Sequence, residues 1–122
     1  MKFVVEKNAL IKALSHVQSI VERKNTLPIL SNILIEAKEN CIILSSTDMD
    51  ISITEKINHN SIEDGSTTVN ASTLYDIVRK LPDNKEIEFI ANDGKILSIR
   101  SGSSRFSLAC LPREDFPIIE TE

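Results

Sequence analysis

One apolar pattern is written twice in this chain. In the first copy Val5 precedes Leu10, Ile11, Ala13, Leu14 and Val17; in the second, 64 positions on, Val69 precedes Leu74, Tyr75, Ile77, Val78 and Leu81. The segments that follow also match: Ile33, Ile35 and Ala37 correspond to Ile87, Phe89 and Ala91 at an offset of 54. With one residue more in the turn, Ile42, Leu44, Ile51 and Ile53 correspond to Leu97, Ile99, Phe106 and Leu108. The copies run over about residues 1–60 and 65–112. The connector between them, residues 61–66, is too short to link separate domains, so the two are expected to share one core. The fall in offset from 64 to 54 means ten extra residues between helix and next strand in the first copy. That surplus holds Glu22-Arg23-Lys24-Asn25-Thr26-Leu27-Pro28, the expected functional loop.

Each copy reads as strand, helix and three strands. Phe3–Glu6 opens the first, and apolar residues at 10, 13, 14, 17, 20 and 21 carry the helical period from Asn8 to Val21. Pro28 cannot continue a helix and biases Leu27 to extended geometry. Strands are predicted at Ile33–Ala37, Cys41–Ser45 and Ile51–Ile57, with turns at Glu39-Asn40 and Thr47–Asp50. Residues 61–66 read as a polar connector. Asn70 is a candidate N-cap for a second helix, Ala71–Leu81, which ends before Pro82. Strands then follow at Glu86–Ala91, Lys95–Arg100 and Arg105–Cys110, with turns at Asn92-Asp93-Gly94 and Ser101–Ser104. The expected fold class is α+β, with two helices side by side on antiparallel sheet around a pseudo-twofold axis.

Charge separates by region. The net charge is −4, yet residues 7–24 hold Lys7, Lys12, Arg23 and Lys24 against Glu22, a local +3. Residues 71–80 hold Arg79 and Lys80 against Asp76, a local +1, which leaves −8 for the rest. An acidic body with basic helices can meet nucleic acid on one surface and avoid it on others; a solvated helix face looks the same. No apolar run reaches the roughly 20 residues of a membrane span, and Met1-Lys2-Phe3-Val4-Val5 lacks a signal-peptide pattern. The expected compartment is the cytoplasm, with Cys41 and Cys110 as reduced thiols.

Catalytic patterns are not found. Asp48 and Asp50 form an Asp-x-Asp pair that can hold a divalent cation, but nothing else in the sequence supports a site, and a solvated hairpin turn is the reading taken. His16 and His59 have no Cys or His at ligand spacing, and Ser101-Gly102-Ser103-Ser104 reads as a tight turn. No enzyme activity, metal or cofactor is expected.

The wording of several segments is more specific than their period. Thr26-Leu27-Pro28-Ile29-Leu30-Ser31-Asn32 and Arg100-Ser101-Gly102-Ser103-Ser104-Arg105-Phe106-Ser107-Leu108 stand out. So do Met1-Lys2-Phe3, Thr47-Asp48, Thr67-Thr68-Val69, Leu81-Pro82 and Asp115-Phe116-Pro117. Together they closely resemble the first domain of the bacterial DNA sliding clamp, the β subunit of DNA polymerase III. The resemblance runs over essentially all of residues 1–122 and implies the clamp fold, with the β-α-β-β-β unit duplicated. It also implies that this is the first domain of a larger subunit, whose later domains lie outside this chain.

The functional expectations follow from that resemblance. Two subunits would close head to tail into a ring around duplex DNA and make the polymerase they tether processive. Polymerase and clamp loader would bind through the later domains. Lys24 matches a basic DNA-contacting position, Arg23 is its neighbour, and Arg79 belongs to the basic helix face. Ser72 stands where some relatives carry arginine. Ile77, Arg105, Phe106 and Leu108 match the first-domain side of the subunit interface, while Ser103 and Thr73 stand where relatives often have basic residues. Core packing is the other reading of Phe106 and Leu108. A scaffold or partner-binding module on the same duplicated fold, without DNA, is the alternative function.

Overall fold

The computed structural model describes residues 1–19, 21, 31–38, 41–47, 51–58, 61–83, 85–91 and 95–117. In chain order the elements are β1 (Lys2–Glu6), α1 (Lys7–Gln18), β2 (Asn32–Lys38), β3 (Cys41–Thr47), β4 (Ser52–Asn58), β5 (Ser61–Glu63), β6 (Gly65–Asn70), α2 (Ala71–Lys80), β7 (Glu86–Ile90), β8 (Ile96–Ser101) and β9 (Ser104–Ala109). A 3-10 turn, Arg113–Asp115, follows β9.

The strands form two antiparallel sheets, of order β5-β1-β7-β8-β9 and β4-β3-β2-β6. The repeats exchange their first strands. β1 of the first copy pairs with β7 of the second, with Val5 opposite Ile87. β6 of the second copy pairs with β2 of the first, with Val69 opposite Ile33. The two pairings are equivalent under the offsets of 64 and 54, which places the pseudo-twofold axis between them. Neither copy can close its own sheet, so both must share a core.

That core is built from the matched positions. Ile33, Ile35, Ala37, Ile42 and Leu44 are buried, and so are Ile87, Phe89, Ala91, Leu97 and Ile99. Leu10, Ala13, Leu14 and Val17 of α1 enter the same cluster as Leu74, Ile77 and Val78 of α2. The rings of Phe3 and Phe89 stack 4.8 Å apart across the β1–β7 ladder. The last strand of each copy, β4 and β9, is a sheet edge, and its apolar residues are less completely buried. Ile53, Phe106 and Leu108 pack half-buried against the core.

Two expectations change. Residues 61–66 are not a plain connector: β5 pairs with β1, with Lys2 opposite Glu63, and Gly65 and Ser66 begin β6. β5 has only three residues, too few to carry a periodic signal, and its place is set by the ladder to β1. α1 ends at Gln18 rather than Val21, although Val21 is still buried and its N–H donates to the Gln18 carbonyl at 3.1 Å.

Candidate nucleic-acid and subunit interfaces

Because both buried helix stripes enter one cluster, the polar faces of α1 and α2 lie on the side away from it. On α1, Lys12 and His16 are exposed. His16 Nδ1 lies 2.5 Å from Glu55 Oε1 on β4, so a carboxylate stands beside the basic face. The Ser15 and Ser19 hydroxyls donate to the carbonyls of Lys12 and His16, at 2.8 and 2.7 Å. They are engaged by their own helix.

Lys7 departs from the expected surface role. It is buried, and its Nζ donates to the carbonyl of Arg79 at 3.0 Å, the carbonyl of Leu81 at 2.6 Å and Asp83 Oδ1 at 2.8 Å. A cation at a helix C-terminus complements both the free carbonyls and the macrodipole. The Lys7 N–H in turn donates to the Lys85 carbonyl at 3.1 Å. Thus the start of α1 and the end of α2 hold one another. The Lys7 charge is removed from any outward basic face, and the local surplus of residues 7–24 that can face outward falls from +3 to +2.

α2 carries the polar face expected of it. Asn70 caps the helix, its Oδ1 accepting the Thr73 N–H at 2.9 Å. No acidic side chain stands in the first turn, and Arg79 and Lys80 close the last. Ser72 and Thr73 are exposed at the positive end. Arg79 lies over the Tyr75 ring at 5.6 Å and contacts Asp76 Oδ1 at 3.4 Å. A solvated i,i+3 pair of this kind is weak and can be exchanged for a phosphate. Arg23 and Lys24, with the rest of their loop, lie outside the described residues. So do Asp48, Asp50, His59 and the turn Asn92–Gly94.

The free edge of β9 is the second surface. Phe106 and Leu108 point to the core side of the strand and are half-buried, while Arg105, Ser107 and Ala109 alternate with them in solvent. Ile77 is only 8% exposed and belongs to the core cluster. The β8–β9 hairpin turns through two residues, with Ser101 opposite Ser104, and this puts Arg100 directly opposite Arg105. Like charges at such a site repel. Arg100 has Glu88 Oε1 at 3.6 Å, whereas Arg105 has no ion-pair partner among the described residues. A groove of about 330 Å³ runs past both arginines, Ser98, Ser107 and Phe106.

Sequence reasoning missed the Lys7 clasp, the His16–Glu55 contact and the opposed arginines. Two of these had signals. Lys7 falls at helical spacing with Leu10, Leu14 and Val17, the buried stripe. A two-residue hairpin closed by Ser101 and Ser104 sets Arg100 against Arg105 by register alone.

Among the described residues no group of three His, Cys, Asp or Glu side chains converges to hold a metal ion. Cys41 is buried and Cys110 half-buried, and neither is in a disulfide. Among the described residues no helix is long and apolar enough to cross a membrane.

The family model for the DNA polymerase III beta subunit, N-terminal domain, matches residues 1–120. A beta sliding clamp of Caulobacter vibrioides is 46% identical over 123 residues, covering 100% of this chain and 33% of that protein. A beta sliding clamp of Vibrio harveyi is 41% identical over 121 residues, covering 98% of this chain and 83% of the relative's sequence. Among solved structures, a sliding clamp from Bartonella birtlesii bound to griselimycin superposes with a TM-score of 0.94 at 43% identity, covering 100% of this chain and 32% of that one. Caulobacter crescentus pol III beta gives 0.93 at 46%, covering 100% and 33%. The chain thus spans about a third of the length of most of these relatives.

Proposed function

From the premise that this chain belongs to the family of DNA polymerase III β-subunit N-terminal domains, we propose that it is one sector of a ring-shaped sliding clamp. In the complete subunit, further domains of the same duplicated unit follow, and two subunits close head to tail around duplex DNA. The ring retains DNA by topology and tethers the replicative polymerase, whose binding surface, like that of the clamp loader, lies in the later domains. No chemical step is assigned to this domain.

The observation that carries the reading is the family match from residue 1 to residue 120. The geometry agrees with it: α1 and α2 turn polar faces away from one core, with Lys12, Arg79 and Lys80 exposed on them. Weak contacts to phosphates suit a ring that must slide, because phosphate contacts position a protein without reading sequence. We assign Lys24, Arg23 and Arg79 to phosphate contacts. Ser72 offers a neutral hydroxyl at the N-terminal end of α2. The β9 edge, with Arg105, Phe106 and Leu108, forms one side of the subunit boundary, where a strand of the neighbouring subunit adds to the sheet. Ile77 supports that boundary from beneath.

Salt-dependent DNA binding by the full-length subunit tests this. Lys24→Ala should make the slope of log K against log salt shallower by about one unit, as for one lost phosphate contact. A slope unchanged by that substitution removes Lys24 from the DNA-facing set. Tight, sequence-specific binding by the isolated 122-residue chain would contradict the clamp reading itself.

A further inference from the structure

The outer face of the four-stranded sheet, turned away from both helices, carries a feature the clamp reading does not use. Across β2, β3 and β4 run two cross-strand rows, Leu34–Ser45–Thr54 and Glu36–Ile43–Lys56. These side chains lie on the face opposite the buried Ile33, Ile35, Ile42 and Leu44. The exit segment is anchored to β6 by the Leu111 N–H donating to the Thr68 carbonyl at 3.1 Å. The Thr68 hydroxyl donates to the Leu111 carbonyl at 2.9 Å. This anchoring sets Arg113 on the rim of a groove of about 340 Å³, whose lining also includes Lys38.

The lining has a defined chemistry. Leu34 and Ile43 make an apolar floor, and Ser45 and Thr54 bring their hydroxyls within 3.4 Å of each other. Lys38, Lys56 and Arg113 line the groove together with one carboxylate, Glu36. That is a surplus of two positive charges on a chain whose net charge is −4. Lys56 and Arg113 make no ion pair among the described residues. The volume is at the lower end of ligand-sized clefts, about 300–1,000 Å³.

We propose that this groove is a docking site for an acidic, partly apolar peptide segment of a partner protein, with carboxylates on Lys56 and Arg113 and an aliphatic side chain over Leu34 and Ile43. The cations belong to different elements around an apolar floor. An extended chain with carboxylates at alternate positions, about 7 Å apart, can reach more than one of them; a compact anion cannot also cover the floor. The proposal is independent of the ring and of DNA, since it uses the opposite face of the domain.

Backbone amide shifts of the 122-residue chain, titrated with a capped hexapeptide of alternating glutamate and leucine, test it. The expected result is saturable shifts on β2, β3 and β4, with a Kd below 1 mM. Binding should weaken at least tenfold in K56E/R113E, weaken several-fold in K56Q/R113Q, and be unchanged in K12E on the helix face. The K56Q/R113Q variant keeps the test valid if the double reversal does not fold. Shifts confined to α1 and α2, or none at 5 mM peptide, overturn the proposal. So does unchanged affinity in K56Q/R113Q. Equal binding of inorganic phosphate at the same residues would also overturn it, reducing the groove to a non-specific anion site.

Discussion

The ammonium of Lys7 lies 2.6 Å from the carbonyl oxygen of Leu81, joining the first helical residue of one repeat to the residue that ends the helix of the other. In the second copy the position 64 residues on is Ala71, which is also buried, so the clasp exists once. It breaks the pseudosymmetry while fixing how α1 meets α2.

Lys7→Met should keep the buried stem and lose the charge. With the carbonyls of Arg79 and Leu81 deprived of a charged donor, the chain is expected to lose about 2 kcal/mol, the range of hydrogen bonds to charged groups. Asp83 is 79% exposed on its side chain and returns to water. Urea unfolding of the 122-residue chain measures this, and a loss under about 0.5 kcal/mol would mean that the clasp is incidental.

Thr67 and Thr68 are neighbours with opposite prospects. Thr67 Oγ1 is buried without a hydrogen-bond partner among the described residues, at the position where the first copy has Phe3. Thr67→Val removes an unsatisfied hydroxyl and is expected to be neutral or to stabilise by up to about 1 kcal/mol. The Thr68 hydroxyl donates to the Leu111 carbonyl and accepts from Asn32 Nδ2 at 3.2 Å. Thr68→Val should therefore cost about 1–3 kcal/mol. Thermal unfolding of both variants checks the sign of each, and equal shifts would contradict the assignment.

Two glycines should fail for different reasons. Gly102 has φ +58° in the two-residue turn, and an added methyl would meet nothing within 4 Å among the described residues, so Gly102→Ala strains only the backbone. About 1–2 kcal/mol is expected, with Gly102→Asn costing less. At Gly65 a Cβ would come within 2.9 Å of Met1 Cβ and 3.1 Å of its Cα. Gly65→Ala must push β6 away from Met1, for about 1–3 kcal/mol. If Gly102→Asn unfolds at the same denaturant concentration as Gly102→Ala, the backbone argument is wrong.

Phe106 distinguishes boundary from core. It is half-buried against the core cluster on an edge strand. In the full-length subunit Phe106→Ala should raise the dimer dissociation constant by about ten- to a hundredfold, the scale of an aromatic anchor. The domain itself should lose only about 1–2 kcal/mol, less than a fully buried Phe→Ala change. Sedimentation measures the first and urea unfolding the second. An intact dimer with a strongly destabilised domain would make Phe106 a core residue.

Much of this architecture is legible in the sequence because it rests on local periodicity. From Val5 to Leu44 and from Val69 to Ile99 most of the matched apolar positions are matched buried positions, and Asn70 is readable as an N-cap from its place before Ala71. The match fails in the last strand: Ile51, set against Phe106 by the pattern, is 54% exposed, and it is Ile57 that lies opposite Ile42 as Leu108 lies opposite Leu97. The exchange of first strands is not legible. Val5 opposite Ile87 and Val69 opposite Ile33 are long-range pairings, and the repeat is equally compatible with each copy closing on itself. The charge of Lys7 suggests a surface residue, although its helical phase with Leu10 and Leu14 points inward. For β5 there is too little to read: its three residues, Ser61-Ile62-Glu63, carry one apolar position, and the ladder to β1 defines the strand. The two candidate surfaces divide in the same way. Phe106 and Leu108 alternate visibly along one strand, whereas the groove of Lys56 and Arg113 joins residues distant in sequence.

The central claim is retention by encirclement. The full-length subunit, loaded by its clamp loader onto a nicked circular duplex and separated by gel filtration, should stay with the circle and be lost when one restriction cut linearises it. Release that proceeds at the same rate from the circle and from the cut molecule would contradict the account.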